Sequence, residues 1–111
     1  MRVFISQPMR NKTQNEIDLR RKEIIDQIRS RYLNENIEFV YSVIIEKPDY
    51  EVKNIPIWYL AKSIDKLSTS TLAYFDEGWE NARGCKIERQ ICEDYGIQTL
   101  DYINLFTEEK E

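Results

Sequence analysis

The chain has 111 residues, of which 41% are hydrophobic and 32% are charged, and its formal net charge is −4. This length suits one domain, and the composition is too apolar for an intrinsically disordered protein. The acidic balance argues against a nucleic-acid coat and against an adhesive for anionic membranes, because both need a basic excess. No apolar run is long enough for a signal peptide or a bilayer span, so we expect a cytoplasmic protein.

The residue types that are missing narrow the possible chemistry. The sequence has no histidine, which excludes Ser-His-Asp and Cys-His nucleophile systems and the common histidine-based metal sites. Cys85 and Cys92 fall in one predicted helix, too far apart for a disulfide with each other and in no zinc-binding pattern. We interpret them as buried structural thiols. Any catalysis must therefore use carboxylates, hydroxyls, backbone dipoles or a bound cofactor.

The first part of the chain predicts two strands and the longest helix. Residues Arg2 to Ile5 form a short apolar run typical of a buried strand. Thr13-Gln-Asn-Glu16 has the form of a capping box, and apolar residues then recur at helical spacing as far as about Leu33. Ile37 to Ile45 is rich in β-branched and aromatic residues and predicts the second strand.

The second helix follows a polar loop that runs from Glu46 to Pro56. Proline is favoured in the first turn of a helix, so we expect this helix to begin at Pro56. Its predicted buried stripe consists of apolar residues at helical spacing: Ile57, Leu60, Ala61, Ile64 and Leu67.

The remaining elements are a strand, a helix and a further strand. Leu72 to Phe75 predicts the third strand. Asn81 is a suitable cap for a third helix that runs to Tyr95 and is stopped by Gly96. Ile97 to Leu100 predicts the fourth strand. The tail from about residue 107 is expected to be frayed.

Alternation of strands and helices predicts a three-layer α/β fold of the flavodoxin-like or Rossmann-like type. Right-handed crossovers give a parallel sheet of four to five strands with helices on both faces. Ligands of such sheets bind beyond the carboxyl ends of the strands, where the strand order reverses. This rule selects the loops Ser6 to Asn11, Glu46 to Pro56 and Asp76 to Asn81.

Glu88 is an exception to the amphipathic pattern of the third helix. Charged and polar residues occupy the opposite face, which comprises Lys86, Arg89, Gln90, Glu93 and Asp94. The face that contains Glu88 otherwise holds no charge and comprises Gly84, Cys85, Ile91, Cys92 and Tyr95. A carboxylate there would be partly desolvated and close to the ligand crevice. The alternative is a glutamate at the edge of the stripe, paired with Arg83 or another base.

Weaker signals surround the predicted crevice. Ser6 and Gln7 follow the first strand and suit a sugar or phosphate group, or they are ordinary turn residues. Gly84 suits close approach of a ligand, or it relieves crowding between helix and sheet. Four aromatic residues lie in or beside the predicted loops: Tyr50, Trp58, Tyr59 and Trp79. Their rings could stack on a nucleobase, or they belong to the core.

Two motifs together resemble the nucleoside 2-deoxyribosyltransferase-like superfamily, and more closely a small branch of it found in bacteria and phages. They are Phe4-Ile-Ser-Gln-Pro-Met9 and Gly78-Trp-Glu-Asn-Ala-Arg-Gly-Cys-Lys-Ile-Glu88. The resemblance runs from Met1 to about Leu100. It implies that Glu88 stands where the enzymes have the nucleophile that attacks the anomeric carbon of a deoxyribose.

The chain departs from the characterised enzymes at three positions. Ala82 stands where they carry an aspartate, Ser63 corresponds to a second aspartate, although Asp65 lies close by, and Phe4 replaces a frequent tyrosine. These changes remove groups that orient the sugar and assist the departing base. Hydrolysis or plain binding is therefore more credible than transfer between nucleosides.

The resemblance predicts a nucleoside or nucleotide N-glycosidic bond hydrolase or deoxyribosyltransferase-like enzyme with Glu88 as the catalytic residue. The predicted substrate-binding residues are Ser6, Gln7, Pro8, Met9, Gly78, Trp79, Asn81, Arg83 and Gly84. The alternative is a non-catalytic nucleotide-binding module that sequesters or senses its ligand. Neither hypothesis requires a metal or an organic cofactor, and neither involves a nucleic acid polymer or a membrane.

A homo-oligomer is also expected, because related proteins pair subunits so that one completes the pocket of the other. The tail contains four apolar residues, Tyr102, Ile103, Leu105 and Phe106. These residues could form that interface, or they pack on their own domain.

Overall fold

The computed structural model describes residues 1–42, 44 and 46–106. Within these residues it contains four strands: β1 Arg2–Ser6, β2 Glu38–Tyr41, β3 Leu72–Phe75 and β4 Gln98–Asp101. It also contains four α-helices and one 3₁₀ turn: α1 Gln14–Arg31, α2 Ile55–Leu67, α3 Arg83–Tyr95, α4 Tyr102–Phe106 and the turn Trp79–Asn81.

The four strands form one parallel sheet in the order β2-β1-β3-β4. Ile5 of β1 is in register with Tyr41 of β2 on one side and with Tyr74 of β3 on the other. The chain first adds a strand on one side of β1 and then crosses back to the other side. The strand order therefore reverses between β1 and β3, which is where ligands bind in sheets of this type.

Each face of the sheet is covered by two helices. One core joins the face that contains Val3, Ile5, Leu72 and Tyr74 to buried residues of α1 and α4: Ile24, Ile28 and Leu105. The other joins Phe4, Ala73 and Phe75 to buried residues of α2 and α3: Leu67, Cys85 and Cys92. The predicted three-layer α/β arrangement is thus confirmed, as is the prediction that both cysteines are buried and unbridged.

Two helix-end predictions are confirmed in atomic detail. The backbone N–H of Glu16 donates to Thr13 Oγ1 at 3.1 Å, and the backbone N–H of Thr13 donates to Glu16 Oε1 at 2.8 Å, which completes the capping box of α1. Gly96 ends α3 with a φ of 77°, in the left-handed region that glycine adopts without strain.

The predicted stripe of α2 is partly wrong. Asn54 caps this helix, and its buried residues are Ser63 and Leu67, whereas Ile57 is 62% exposed and Ala61 is exposed as well. A search for apolar residues alone passes over Ser63, because a buried hydroxyl depends on a hydrogen-bond partner elsewhere in the fold.

Two other boundaries differ from the predictions. The strand predicted to reach Ile45 ends at Tyr41, and Val43 and Ile45 lie outside the described residues. Asn81 does not cap α3, because it closes the 3₁₀ turn and leaves Ala82 at the cap position without a side-chain bond.

The residues after β4 form α4, and most of its apolar side chains pack on their own domain. Leu105 is buried, Tyr102 and Phe106 pack against the same core, and Ile103 is 54% exposed. The predicted frayed tail, residues 107–111, lies outside the described residues. In the part of the chain that is described, no helix has both the length and the apolar character needed to cross a bilayer.

Candidate functional site

Glu88 lies in the second turn of α3 and points into the protein, where only 3% of it is exposed. Two serines meet it there. Ser6 is the last residue of β1, and its side chain points to the same face of the sheet as Phe4, toward α2 and α3. Ser63 comes from the buried side of α2. The carboxylate thus lies next to the end of β1, where the strand order reverses.

Both oxygens of the Glu88 carboxylate accept a hydroxyl hydrogen bond. Ser6 Oγ donates to Oε1 at 2.7 Å, and Ser63 Oγ donates to Oε2 at 2.5 Å. Burial raises the pKa of Glu88, and the bonds from Ser63 and Ser6 oppose that rise without cancelling it. The two serines therefore fix the orientation of a carboxyl group that burial makes easier to protonate.

No ion pair neutralises Glu88 within the described residues. Arg83, the partner suggested by the alternative interpretation of the sequence, is exposed on the first turn of α3. In the part of the chain that is described, the donors that contact Glu88 are Ser6 and Ser63. A buried carboxylate that is bonded only by neutral groups has its ionisation controlled by its surroundings, which is typical of functional carboxylates.

Cys85 lies beside this group but is not a second nucleophile. It is 5% exposed, and burial raises its pKa to about 11, against a lowering contribution from a hydrogen bond with Ser6. A thiol with such a pKa stays protonated near neutrality, and the protonated form is a poor nucleophile. Glu88 is therefore the candidate reactive group of this cluster.

A second buried carboxylate, Asp76, follows β3 on the opposite face of the sheet. It is 2% exposed and binds Arg20 of α1 through two nitrogens, with Nε 2.9 Å from Oδ2 and Nη2 2.8 Å from Oδ1. The hydroxyl of Tyr74 donates to Oδ1 at 2.7 Å, and burial followed by the charge of Asp76 raises the pKa of Tyr74. The backbone N–H of Asp76 donates to the carbonyl of Ser6 at 3.0 Å, which joins the ends of β1 and β3.

Arg89 also departs from its predicted place on a solvated face. Its guanidinium lies 4.7 Å from the ring centroid of Trp79 and 5.4 Å from that of Phe75, and Nη1 donates to Asp101 at 2.5 Å. The rings of Phe75 and Trp79 are themselves 5.8 Å apart. Trp79 is therefore held between a core aromatic residue and a cation, and this contact anchors the 3₁₀ turn to the sheet.

The predicted binding residues after β1 do not all face the same way. Gln7 is buried but points toward α1, where Nε2 donates to the carbonyl of Ile17 at 3.2 Å. Pro8 packs beside Gly78, so the loops after β1 and β3 contact each other. Met9 is 42% exposed. Of this loop, only Ser6 contacts Glu88.

The predicted binding residues around α3 lie at its exposed beginning. Asn81 and Arg83 are exposed, Gly84 is half-buried, and a Cβ built on Gly84 would lie 3.9 Å from Leu60 Cδ1. The aromatic residues near the beginning of α2 form a separate group. Trp58 packs edge-on against Tyr59, and its Nε1 donates to the hydroxyl of Tyr50 at 2.8 Å.

Two surface cavities, of about 550 and 500 Å³, lie away from Glu88. The larger follows the outer edge of β2, and the smaller lies at the amino end of the sheet beside Met1 and Thr71. Among the described residues, no group of three or more Cys, Asp or Glu side chains could hold a metal ion.

Sequence reasoning found Glu88 and Ser6 and passed over Asp76 and Arg20. A signal for Asp76 existed, because it directly follows a buried strand at the sheet edge where ligands bind. Arg20 gave no signal, because nothing in local spacing marks it out from the other charged residues of α1.

Comparisons with known proteins do not assign the chain to a family. No protein-family model matches it, and neither a curated protein nor a solved structure gives a match.

Proposed function

We propose that the protein cleaves the N-glycosidic bond of a nucleoside or nucleotide, with Glu88 as the nucleophile. One observation carries this proposal: Glu88 is a buried carboxylate without a counter-ion among the described residues, oriented by Ser6 and Ser63 beside the reversal of the strand order. Such a group suits reactions in which positive charge develops on a sugar ring.

The proposed reaction has two displacement steps. In the first, an oxygen of Glu88 bonds to the anomeric carbon while the bond from that carbon to the base nitrogen breaks, and the base leaves with the bonding electrons and takes a proton from water. In the second, water attacks the anomeric carbon of the resulting ester and the bond from that carbon to the Glu88 oxygen breaks, which releases the sugar and regenerates the carboxylate. The proton lost by this water neutralises the hydroxide left when the base was protonated. Hydrolysis rather than transfer is favoured because Ala82 and Ser63 stand where the similar enzymes carry aspartates.

The serines and the exposed residues at the beginning of α3 have separate proposed roles. Ser6 and Ser63 orient Glu88, and rotation of either hydroxyl toward the substrate frees a lone pair on the carboxylate. Asn81 and Arg83 are exposed at the beginning of α3 and can contact a sugar hydroxyl or a phosphate there. Gly84 presents no side chain to a ligand at this position, where a Cβ would lie 3.9 Å from Leu60 Cδ1.

The direct test measures release of free base by chromatography. Purified protein is incubated with a panel of deoxynucleosides, nucleoside monophosphates and NAD. We expect the wild type to release base from at least one member and Glu88→Gln to be slower by about a thousandfold or more. Glu80→Gln is the matched control, because Glu80 is an exposed glutamate of the nearby 3₁₀ turn, and it should retain the wild-type rate.

A second measurement tests the covalent step. Intact-protein mass spectrometry after rapid quenching should detect an adduct of one sugar unit on the wild type and none on Glu88→Gln. Equal base release by wild type and Glu88→Gln would exclude Glu88 as the nucleophile.

A specific observation favours a second candidate function, that of a non-catalytic nucleotide-binding module. Both carboxylate oxygens already accept hydrogen bonds, and neither described cavity includes Glu88. Such a module would bind a member of the same panel and return it intact. Calorimetry with the panel and with cyclic dinucleotides, followed by chromatography of the recovered ligand, separates binding from turnover.

We also propose that the protein is a cytoplasmic homo-oligomer. Apolar side chains are exposed around the beginning of α2, where Tyr50, Ile55 and Ile57 are 63%, 44% and 62% exposed. A second copy of the chain would cover them. Light scattering after size-exclusion chromatography tests this, and Ile57→Glu should shift an oligomer toward the monomer.

A further inference from the structure

Arg21 has two charged donors without acceptors. Its guanidinium carbon lies 4.6 Å from the ring centroid of Tyr41, and Nη1 is 3.4 Å from Asp18 Oδ1. Nε and Nη2 are buried and have no hydrogen-bond partner among the described residues. Because buried donors are nearly always bonded, these two call for an acceptor that a ligand would supply.

The neighbouring arginine shows which acceptor fits. In Arg20 the same two nitrogens, Nε and Nη2, bind the two oxygens of the Asp76 carboxylate at 2.9 and 2.8 Å. The N–H bonds of this edge are parallel, so they match a planar pair of oxygens. Arg21 has the same edge, held in place by Tyr41, without a carboxylate of its own chain on it in the described structure.

A cavity of about 550 Å³ adjoins Arg21 at the outer edge of β2. Polar and charged residues among those that line it are Gln14, Asp18, Arg21, Tyr41, Glu46 and Lys66. Two of these side chains are cationic and two are acidic, so the cavity has no excess of positive charge for a polyanion. A ligand with one carboxylate, and with a neutral or cationic remainder, suits this balance better than a phosphate dianion.

We propose that this cavity is a binding site for a small molecule that carries a carboxylate, held side-on by Arg21 and supported by the charge of Lys66. The site is separate from Glu88, which does not line this cavity and is bonded by Ser6 of β1 and Ser63 of α2. The proposal therefore does not depend on the glycosidic reaction.

The competing explanation is that Arg21 only covers Tyr41 and pairs with Asp18. Arg29 of the same helix is an arginine that stacks on a ring and is exposed, and it serves as the comparison for Arg21. The guanidinium carbon of Arg29 lies 5.1 Å from the ring centroid of Phe39. If stacking were the whole role of Arg21, the two arginines should respond alike to added ligands.

The experiment follows the Nε–Hε signals of the arginines by ¹⁵N NMR in the full-length protein. Acetate, benzoate and glycine are titrated separately into the millimolar range, with inorganic phosphate as the comparison anion. We expect a saturable shift of the Arg21 signal with at least one carboxylate and none of the Arg29 signal. Arg21→Lys should weaken that binding by about tenfold or more, because lysine lacks the paired donors, and Arg29→Lys should not change it.

The titrations test the existence of the site and the class of its ligand separately. No saturable shift of Arg21 with any carboxylate would overturn the site, and binding of phosphate alone would overturn the ligand class. Backbone amide spectra establish whether Arg21→Lys is folded. If it is not, Lys66→Gln replaces it, and a loss of affinity for the bound carboxylate supports the site while unchanged affinity contradicts the role of Lys66.

Discussion

Two buried carboxylates beside neighbouring strands of the sheet have opposite electrostatic settings. Asp76 follows β3 and is bound by the guanidinium of Arg20 and the hydroxyl of Tyr74. Glu88 reaches the end of β1 from α3, and its hydrogen-bond donors among the described residues are the hydroxyls of Ser6 and Ser63. The two are equally buried, at 2% and 3% exposure.

Under the proposed function, this difference separates a structural role for Asp76 from a chemical role for Glu88. The charge of Asp76 is neutralised by Arg20, so this pair joins α1 to the ends of β1 and β3 and leaves no reactive group. The charge of Glu88 is not neutralised by a cation among the described residues, so its protonation responds to small changes around it. Depth of burial alone would not distinguish the two carboxylates, whereas the charge of their partners does.

The largest effect on stability should come from Asp76→Ala. It leaves the Arg20 cation and the Tyr74 hydroxyl without their acceptor, and breaking a buried pair in this way lowers the free energy of unfolding by about 3 kcal/mol. Urea titration measures it. Glu23→Ala removes the exposed carboxylate bonded to Arg20 and should change stability by about 0.5 kcal/mol or less. Equal losses in the two variants would contradict the structural role of Asp76.

Ser63→Ala should have a smaller effect, and one that is specific to Glu88. It removes the 2.5 Å bond to Oε2 and should lower the free energy of unfolding by about 2 kcal/mol. It should also raise the pKa of Glu88 further, because Ser63 opposes the effect of burial. Urea titration of this variant and of Ser68→Ala, an exposed serine just after α2, provides the comparison; Ser68→Ala should lose about 0.5 kcal/mol or less.

The pH dependence of stability should carry the signature of Glu88. Burial raises its pKa in the folded protein above the ordinary 4.5, so the folded state binds the proton more tightly than the unfolded chain. The stabilising contribution is therefore fully present below 4.5 and is lost as the pH rises through the folded pKa, with a slope of at most about 1.4 kcal/mol per pH unit. Urea titrations at a series of pH values should give this falling component for the wild type and not for Glu88→Gln. Matching profiles would mean that Glu88 titrates normally.

The smallest effects concern the segment between the two carboxylates. Gly78 has a φ of 91°, and a Cβ there would meet only Pro8 at 3.7 Å, so Gly78→Ala should lower the free energy of unfolding by about 1 kcal/mol through backbone strain alone. Gly84→Ala lies in a helix with room for the methyl group and should raise stability by up to about 1 kcal/mol. If Gly84→Ala is stable but no longer binds or cleaves a nucleoside, the glycine serves the ligand and not the packing.

Local patterns predicted the elements of this fold better than its contacts. The capping box at Thr13, the stop at Gly96 and the inward position of Glu88 each follow from spacing within one helix, and each is confirmed. Ser63 was known only as a departure from a resemblance, because its burial depends on a partner in another helix.

The contacts that sequence reasoning missed join residues far apart in the chain. Arg20 and Asp76 are separated by 56 positions, and Arg89 reaches across to Asp101 at the end of β4. The faces and spacings of single elements carry no information on such pairs. The same limit explains why Arg89 was assigned to the solvated side of α3.

The central position of β1 has a consequence for how the chain folds. Arg2–Ser6 is separated from one of its two neighbours, Leu72–Phe75, by α1, β2 and α2, so the two strands can pair only after these elements have been synthesised. Until then one hydrogen-bonding edge of β1 is unpaired, so a nascent or truncated chain lacking β3 should be prone to aggregation. Folding is thus expected to be a late, cooperative event that depends on long-range strand pairing and not on the early hairpin-like contacts available to antiparallel sheets.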